Sequence, residues 1–254
     1  MENEYSAKYA KVNSIFCNRK LLTIQSLLGD LLVVEEALGF QFWLSDEIGE
    51  LTKRHENEWK NLQKQVGHQL YDRNLHYLYS ALELAYAGLC DPCYNNLRTV
   101  HESVIKMYFI WAFPETIESV NDDMEPVRKS EFSHETMIHR LYLKEAQESM
   151  RQQFRELSAK SHSNYTGIGP TLRYSVEQIK DCLWFIKTLS LYNITAEIEN
   201  QWSEPSIIEP LLMVKVGEYL EKLRKVLTFG TGNMATYFPD EPSLVSRLKI
   251  RIGN

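Results

Sequence analysis

The chain has 254 residues, 44% of them hydrophobic and 24% charged, with a formal net charge of −6. This composition excludes a disordered chain, and the acidic total excludes a protein that coats nucleic acid non-specifically. Four cysteines over this length exclude a disulfide scaffold, and apolar runs such as 107–114 fall far short of a membrane span, which needs ~20 residues.

The chain opens on the acidic Met1–Tyr5 (MENEY), with no apolar leader, so a cytoplasmic protein is expected and the sequons at Asn164 and Asn193 stay unused. In chain order, nearly every long segment repeats its apolar residues at three- and four-residue steps, and none alternates as a strand does. Residues 5–38 predict one or two helices with Leu21, Ile24, Leu28, Leu31 and Leu38 on a common side, closed by Gly39. A second amphipathic stretch, 45–66, carries Ile48, Leu51, Trp59 and Leu62 and breaks at Gly67. Tyr71, Leu75, Leu78, Leu82, Ala85 and Leu89 then keep core spacing up to Cys90. Asp91 offers a cap and Pro92 a first-turn residue for the next helix, which runs through Leu97, Val100, Val104, Met107 and Trp111 until Pro114 stops it. So short a join makes these two helices an antiparallel hairpin.

Residues 114–133 are a polar, acidic connection ending at Ser133 as a possible cap. From His139 a single helix is predicted to about Ser161, with Leu143, Ala146, Met150, Phe154 and Leu157 as its core stripe, ending in a loop that holds Gly167, Gly169 and Pro170. Leu172–Ile198 and Ile208–Leu227 are the remaining helices, separated by a linker at Trp202–Pro210. The expected fold is all-α: a bundle of four main helices with additional N-terminal helices. Residues 1–66 would pack on or dimerise the bundle formed by 67–254.

The functional lead lies on the predicted 139–162 helix. Arg140, Lys144, Arg151, Arg155, Ser158 and His162 recur at helical steps and gather within roughly 80° of one another, interrupted by Glu148. In Arg155-x6-His162 the guanidinium can neutralise a phosphodiester and the imidazole can move a proton near neutral pH. Those groups suffice to make a ribose 2′-hydroxyl attack its own phosphate without metal. The competing reading is a solvated basic face closed by a capping histidine. Arg98 and Glu102, one turn apart, are placed to form a salt bridge beside this helix, while His101 points about 100° away from Glu102 and about 60° from Arg98 as a packed or surface residue.

Other constellations carry less. Cys90-x2-Cys93 lacks two further ligands near it in sequence, with Cys17 and Cys182 isolated, and is expected to be buried at a helical turn. His134 and His139 are five residues apart, which splays them by about 140° and spoils a zinc-protease face. No metal or cofactor is expected.

The segment Phe154–Asn164 (FRELSAKSHSN), ending a long helix after a hydrophobic hairpin, resembles the Arg-x4-6-His signature of the HEPN superfamily. Asn95–Pro114 (NNLRTVHESVIKMYFIWAFP) is similar to the LR-xx-xE helix of HEPN-like families, whose later LS-xx-H element is matched by Leu157, Ser158 and His162. The resemblance spans roughly residues 70–228. It implies an up-and-down helical bundle and a homodimer whose two Arg/His pairs meet in one site that cuts RNA, within a prokaryotic defence or toxin–antitoxin system, where an antitoxin or other partner protein is implied. Arg155 and His162 would be catalytic, with Ser158, Asn164, Glu156, Arg98 and Glu102 in support and Arg140, Lys144, Arg151 and Lys160 holding RNA. One departure stands out: active members often carry Asn, Asp or His directly after the arginine, where this chain has Glu156. The alternative is a non-catalytic helical protein of the same fold that binds a protein partner or a nucleotide.

Overall fold

The computed structural model describes residues 2–54, 62–117, 132–142, 144–162, 175–201 and 210–229. Among them are seven α-helices and no strand: α1 (Glu2–Arg54), α2 (Leu62–Tyr86), α3 (Cys90–Ala112), α4 (His134–Leu141), α5 (Lys144–His162), α6 (Val176–Gln201) and α7 (Pro210–Phe229). The all-α class is what is observed. None of these helices is long and apolar enough to cross a membrane.

The predicted hairpin is the centre of the fold. α2 and α3 pack along each other and both pack on α6, with α1 closing over α6 and α2. Leu78, Leu97, Val100, Met107, Leu183 and Ile186 are fully buried between them. The turn differs from expectation in its chemistry. Gly88 takes φ 68°, donates to Ala85 O at 3.0 Å, and is followed by Leu89, which donates to Leu84 O at 2.8 Å. This paired closure ends α2, and only glycine enters that backbone region without strain. Asp91 is not the cap of α3: the helix begins at Cys90 after Leu89, with no side-chain cap, and Asp91 sits in its first turn beside the positive end of the helix dipole.

Gly39 and Gly67 do not break the chain. α1 runs through Gly39, where buried Val34, Ala37, Leu38 and Leu44 hold it to the core, so packing overrides the glycine's weak preference. The interruption lies instead at Leu27 (φ −129°, ψ 27°), one turn after Thr23, whose hydroxyl donates to Arg19 O at 2.9 Å and reaches Tyr86 O at 3.2 Å. Such back-bonding bends a helix, and here it also satisfies a carbonyl at the end of α2. Gly67 lies inside α2 at a close helix crossing: a Cβ there would stand 1.9 Å from Asn200 Nδ2 of α6. The core of α1 from Leu27 to Ile48 is continuous with that of α2, α3 and α6.

A buried polar layer ties α1, α2 and α6. Asn74 donates to Asn193 Oδ1 and Asn193 donates to Gln41 Oε1, both at 2.9 Å, while Tyr71 Oη donates to the Gln41 carbonyl at 2.9 Å. Next to it His68 Nδ1 meets the fully buried Glu197 carboxylate at 2.8 Å. Burial alone lowers the His68 imidazole, but the hydrogen bond and charge of Glu197, with Asp72 behind, raise it on balance. Cys182, isolated in sequence, comes against Cys90 and Cys93 in the fold; all three are free and buried. The Cys182 contact and burial push the Cys90 thiol up, which favours its protonated form.

Candidate functional site

The predicted 139–162 helix is two helices. α4 is capped by Ser133, whose hydroxyl accepts from the Thr136 N–H at 3.2 Å, and it ends at Tyr142 in extended backbone. The Gln147 side chain of α5 turns back and donates to Tyr142 O at 2.7 Å and His139 O at 3.3 Å. Those carbonyls lose helical partners at the break, and Gln147 supplies substitutes. Periodicity carried no sign of this, because both halves keep their apolar spacing.

α5 is anchored by Leu157, which is fully buried, with Ala146, Met150 and Phe154 half-buried beside it. Arg155 and His162 occupy one face of α5: seven residues of helix offset them by about 20° and separate them by about 10 Å. The side chains of His162 and Lys144, and all of Asn164, lie outside the described residues. Arg155 points into solvent, 59% accessible, and donates through Nη1 to the exposed Glu148 at 2.8 Å. Arg151 shares this side of the helix, and its Nε and Nη2 both donate to Glu135 Oε1 of α4, at 2.9 and 2.5 Å. That contact draws the Glu135 carboxyl below its ordinary range.

The break and the helical turn scatter the other predicted cations. Arg140, now on α4, lies over the rings of Phe113 (4.1 Å) and Phe109 (5.0 Å) and 4.0 Å from Glu115. Lys160 is turned by about 140° from Arg155 and faces the bundle, paired with Asp181 of α6 at 2.5 Å and lying over Tyr94 and Phe185. Neither shares the Arg155 face. Glu156 accepts from Gln152 at 2.9 Å, and the Ser158 hydroxyl is buried with no hydrogen-bond partner among the described residues. The Arg98–Glu102 pair forms as expected, at 3.1 Å, and Arg98 Cζ stands 5.1 Å from the Phe154 ring centre, directly against α5.

Two histidines gather at this junction: His101, expected as a packed or surface residue and found packed, and His134, expected to have no role beyond a spoiled metal pair. His134, opening α4, stacks on Phe154 with ring centres 4.0 Å apart, and His101 of α3 lies 5.6 Å from His134. His101 is 2% exposed, and neither ring nitrogen makes a hydrogen bond of good geometry among the described residues. Burial, reinforced by the charge of His134 and opposed weakly by Gln153, pushes its imidazole down to about 3. Burial likewise lowers His134; Glu102 and Glu135 oppose the shift, and Arg98 and Arg151 add to it. Both rings are neutral at physiological pH. A sequence clue was available: His101, Val104, Ile105 and Tyr108 follow one helical stripe.

That stripe forms one wall of a cavity of about 310 Å³ between α3, the α4–α5 junction and α6. Val104, Ile105 and Leu189 make its floor, buried to 3%, 2% and 1% exposure, while Trp111, 39% exposed, stands at the mouth. The arrangement offers two chemistries. An exposed guanidinium face can take an anion, and a separate apolar chamber can take an uncharged molecule. Among the described residues no group of three or more His, Cys, Asp or Glu is placed to hold a metal ion. The chain matches no family model, no curated protein and no solved structure.

Proposed function

We propose that this chain is a HEPN-like endoribonuclease that acts without metal as a homodimer, in a prokaryotic defence or toxin–antitoxin setting. The supporting observation is Arg155: it stands in solvent on the helical face that also bears His162, with only an exposed carboxylate to release before a phosphate can take its place. In the reaction, Arg155 neutralises the phosphate oxygens while the His162 imidazole accepts the proton of the ribose 2′-hydroxyl. O2′ bonds to phosphorus, the bond from phosphorus to O5′ breaks, and an imidazole from a second copy gives the departing oxygen its proton. The products are a 2′,3′-cyclic phosphate and a 5′-hydroxyl end.

Purified wild type should cleave single-stranded RNA in the presence of EDTA, leaving cyclic phosphate ends. Arg155→Ala and His162→Ala should each lower the rate by ~10²-fold or more while remaining folded dimers by light scattering. Equal cleavage by all three proteins, or none by any, rejects the reading.

One observation favours a second reading, a non-catalytic HEPN-like protein that binds a protein partner or nucleotide. Every cation described on α4 and α5 already faces a carboxylate: Arg140 with Glu115, Arg151 with Glu135, Arg155 with Glu148 and Lys160 with Asp181. Under it, Arg155→Ala weakens capture of the partner in a pull-down and changes no RNA product.

A further inference from the structure

We propose that the cavity between α3, the α4–α5 junction and α6 binds a neutral, mainly apolar aromatic molecule of about two fused rings, held by one hydrogen bond to His101. Size sets the first limit. A dry cavity of about 150 Å³ lined by apolar side chains takes one benzene ring, so 310 Å³ corresponds to two. It also falls at the lower end of the range of about 300–1,000 Å³ typical of small-molecule sites.

The lining sets the second. The floor is aliphatic, and Tyr108, Trp111 and Tyr192 present rings along the sides, a surface that favours another aromatic plane. None of the described lining residues carries a charge, because His101 is held neutral by its burial. An anionic ligand would lose its water there and meet no cation among the described lining residues, while the Glu199 carboxylate acts on both Tyr108 and Tyr142 of the lining. His101 supplies the specificity. A buried imidazole whose polar neighbour Gln153 makes no hydrogen bond of good geometry is under-satisfied, and in its neutral form it has one N–H and one lone pair to offer. A ligand hydroxyl or ring N–H inserted beside it removes that deficit, which packing with hydrocarbon alone cannot do.

The test uses the full chain with 2-naphthol as probe and 2-naphthoate as its charged counterpart, each titrated to about 1 mM by calorimetry. 2-Naphthol should bind at least tenfold more tightly than 2-naphthoate. His101→Phe keeps an aromatic ring but removes the polar contact, and should weaken 2-naphthol about tenfold while the desolvation cost of 2-naphthoate remains. Val104→Phe extends a ring from the floor and should abolish binding of both. Since either variant could fold poorly, the unmodified protein provides a second readout: the 15N resonances of the His101 ring should shift with 2-naphthol and stay fixed with 2-naphthoate. Absence of binding by wild type overturns the proposal, as does binding that persists unchanged in both variants. Loss on Val104→Phe with no change on His101→Phe overturns the assignment of the polar contact. RNA cleavage plays no part in the readout, so this result stands independently of the nuclease test.

Discussion

Replacing Gly67 by alanine puts a close crossing of α2 and α6 under a measurable load. The new Cβ would sit 1.9 Å from Asn200 Nδ2, 2.5 Å from its Cγ and 2.9 Å from Oδ1. Asn200 has no room to yield cheaply: it is fully buried, and its amide donates to Lys64 O at 3.4 Å. Either α2 and α6 move apart, at ~1–3 kcal/mol for overpacking, or the amide rotates and leaves buried polar atoms unpaired, at a similar ~1–3 kcal/mol. Alanine regains about 1 kcal/mol through its higher helix preference. With both penalties partly incurred, the net destabilisation is about 2–3 kcal/mol, a fall of about 4–12 °C in Tm for a chain this size. Gly39→Ala is the internal control. It lies within α1 with nothing near its Cβ position, so it should stabilise by up to about 1 kcal/mol. Urea titration and thermal melts followed by far-UV circular dichroism measure both. If Gly67→Ala proves as stable as Gly39→Ala, the close contact between α2 and α6 is wrong.

Two histidines should give stability opposite pH dependences. His68 has a folded pKa above its unfolded value near 6.5, so its contribution is complete below pH 6.5 and is lost as pH rises through the folded value. His68→Gln should flatten the alkaline side of a Tm-against-pH curve. His101 is lowered to about 3, so its neutral burial is favourable above pH 6.5 and fails as pH drops, by up to ~1.4 kcal/mol per unit. His101→Phe should flatten the acid side, and a wild-type curve without an acid slope below pH 6 contradicts the buried neutral ring. Lys187 Nζ meets Asp30 at 2.6 Å, both largely buried, and joins α6 to α1. Lys187→Met alone should cost ~3 kcal/mol by stranding the carboxylate, and Lys187→Met with Asp30→Leu should recover most of it in chemical denaturation.

Local spacing was enough to show the hairpin of α2 and α3, the Ser133 cap, the Arg98–Glu102 bridge and the buried face of α5. Each depends on residues within a few turns of one another, and helical period reports which side of a helix is apolar. The same logic misread Gly39 and Gly67, since a glycine's local preference is about 1 kcal/mol and core contacts from several helices outweigh it. It also joined α4 to α5, because the side chain that makes the break tolerable, Gln147, looks like any other polar residue on a wet face.

From its sequence alone this protein is an all-α chain whose apolar stripes must be buried, and Arg155 and His162 must share a face wherever that stretch is helical. Which helices meet was decided only by tertiary packing. Packing turned Lys160 onto Asp181, set Arg140 over phenylalanine rings, and sealed His101 beside His134 at the edge of an apolar chamber. The physical reason is that periodicity fixes the direction of a side chain around its own axis, whereas its partner, its exposure and its charge state depend on the helix placed opposite.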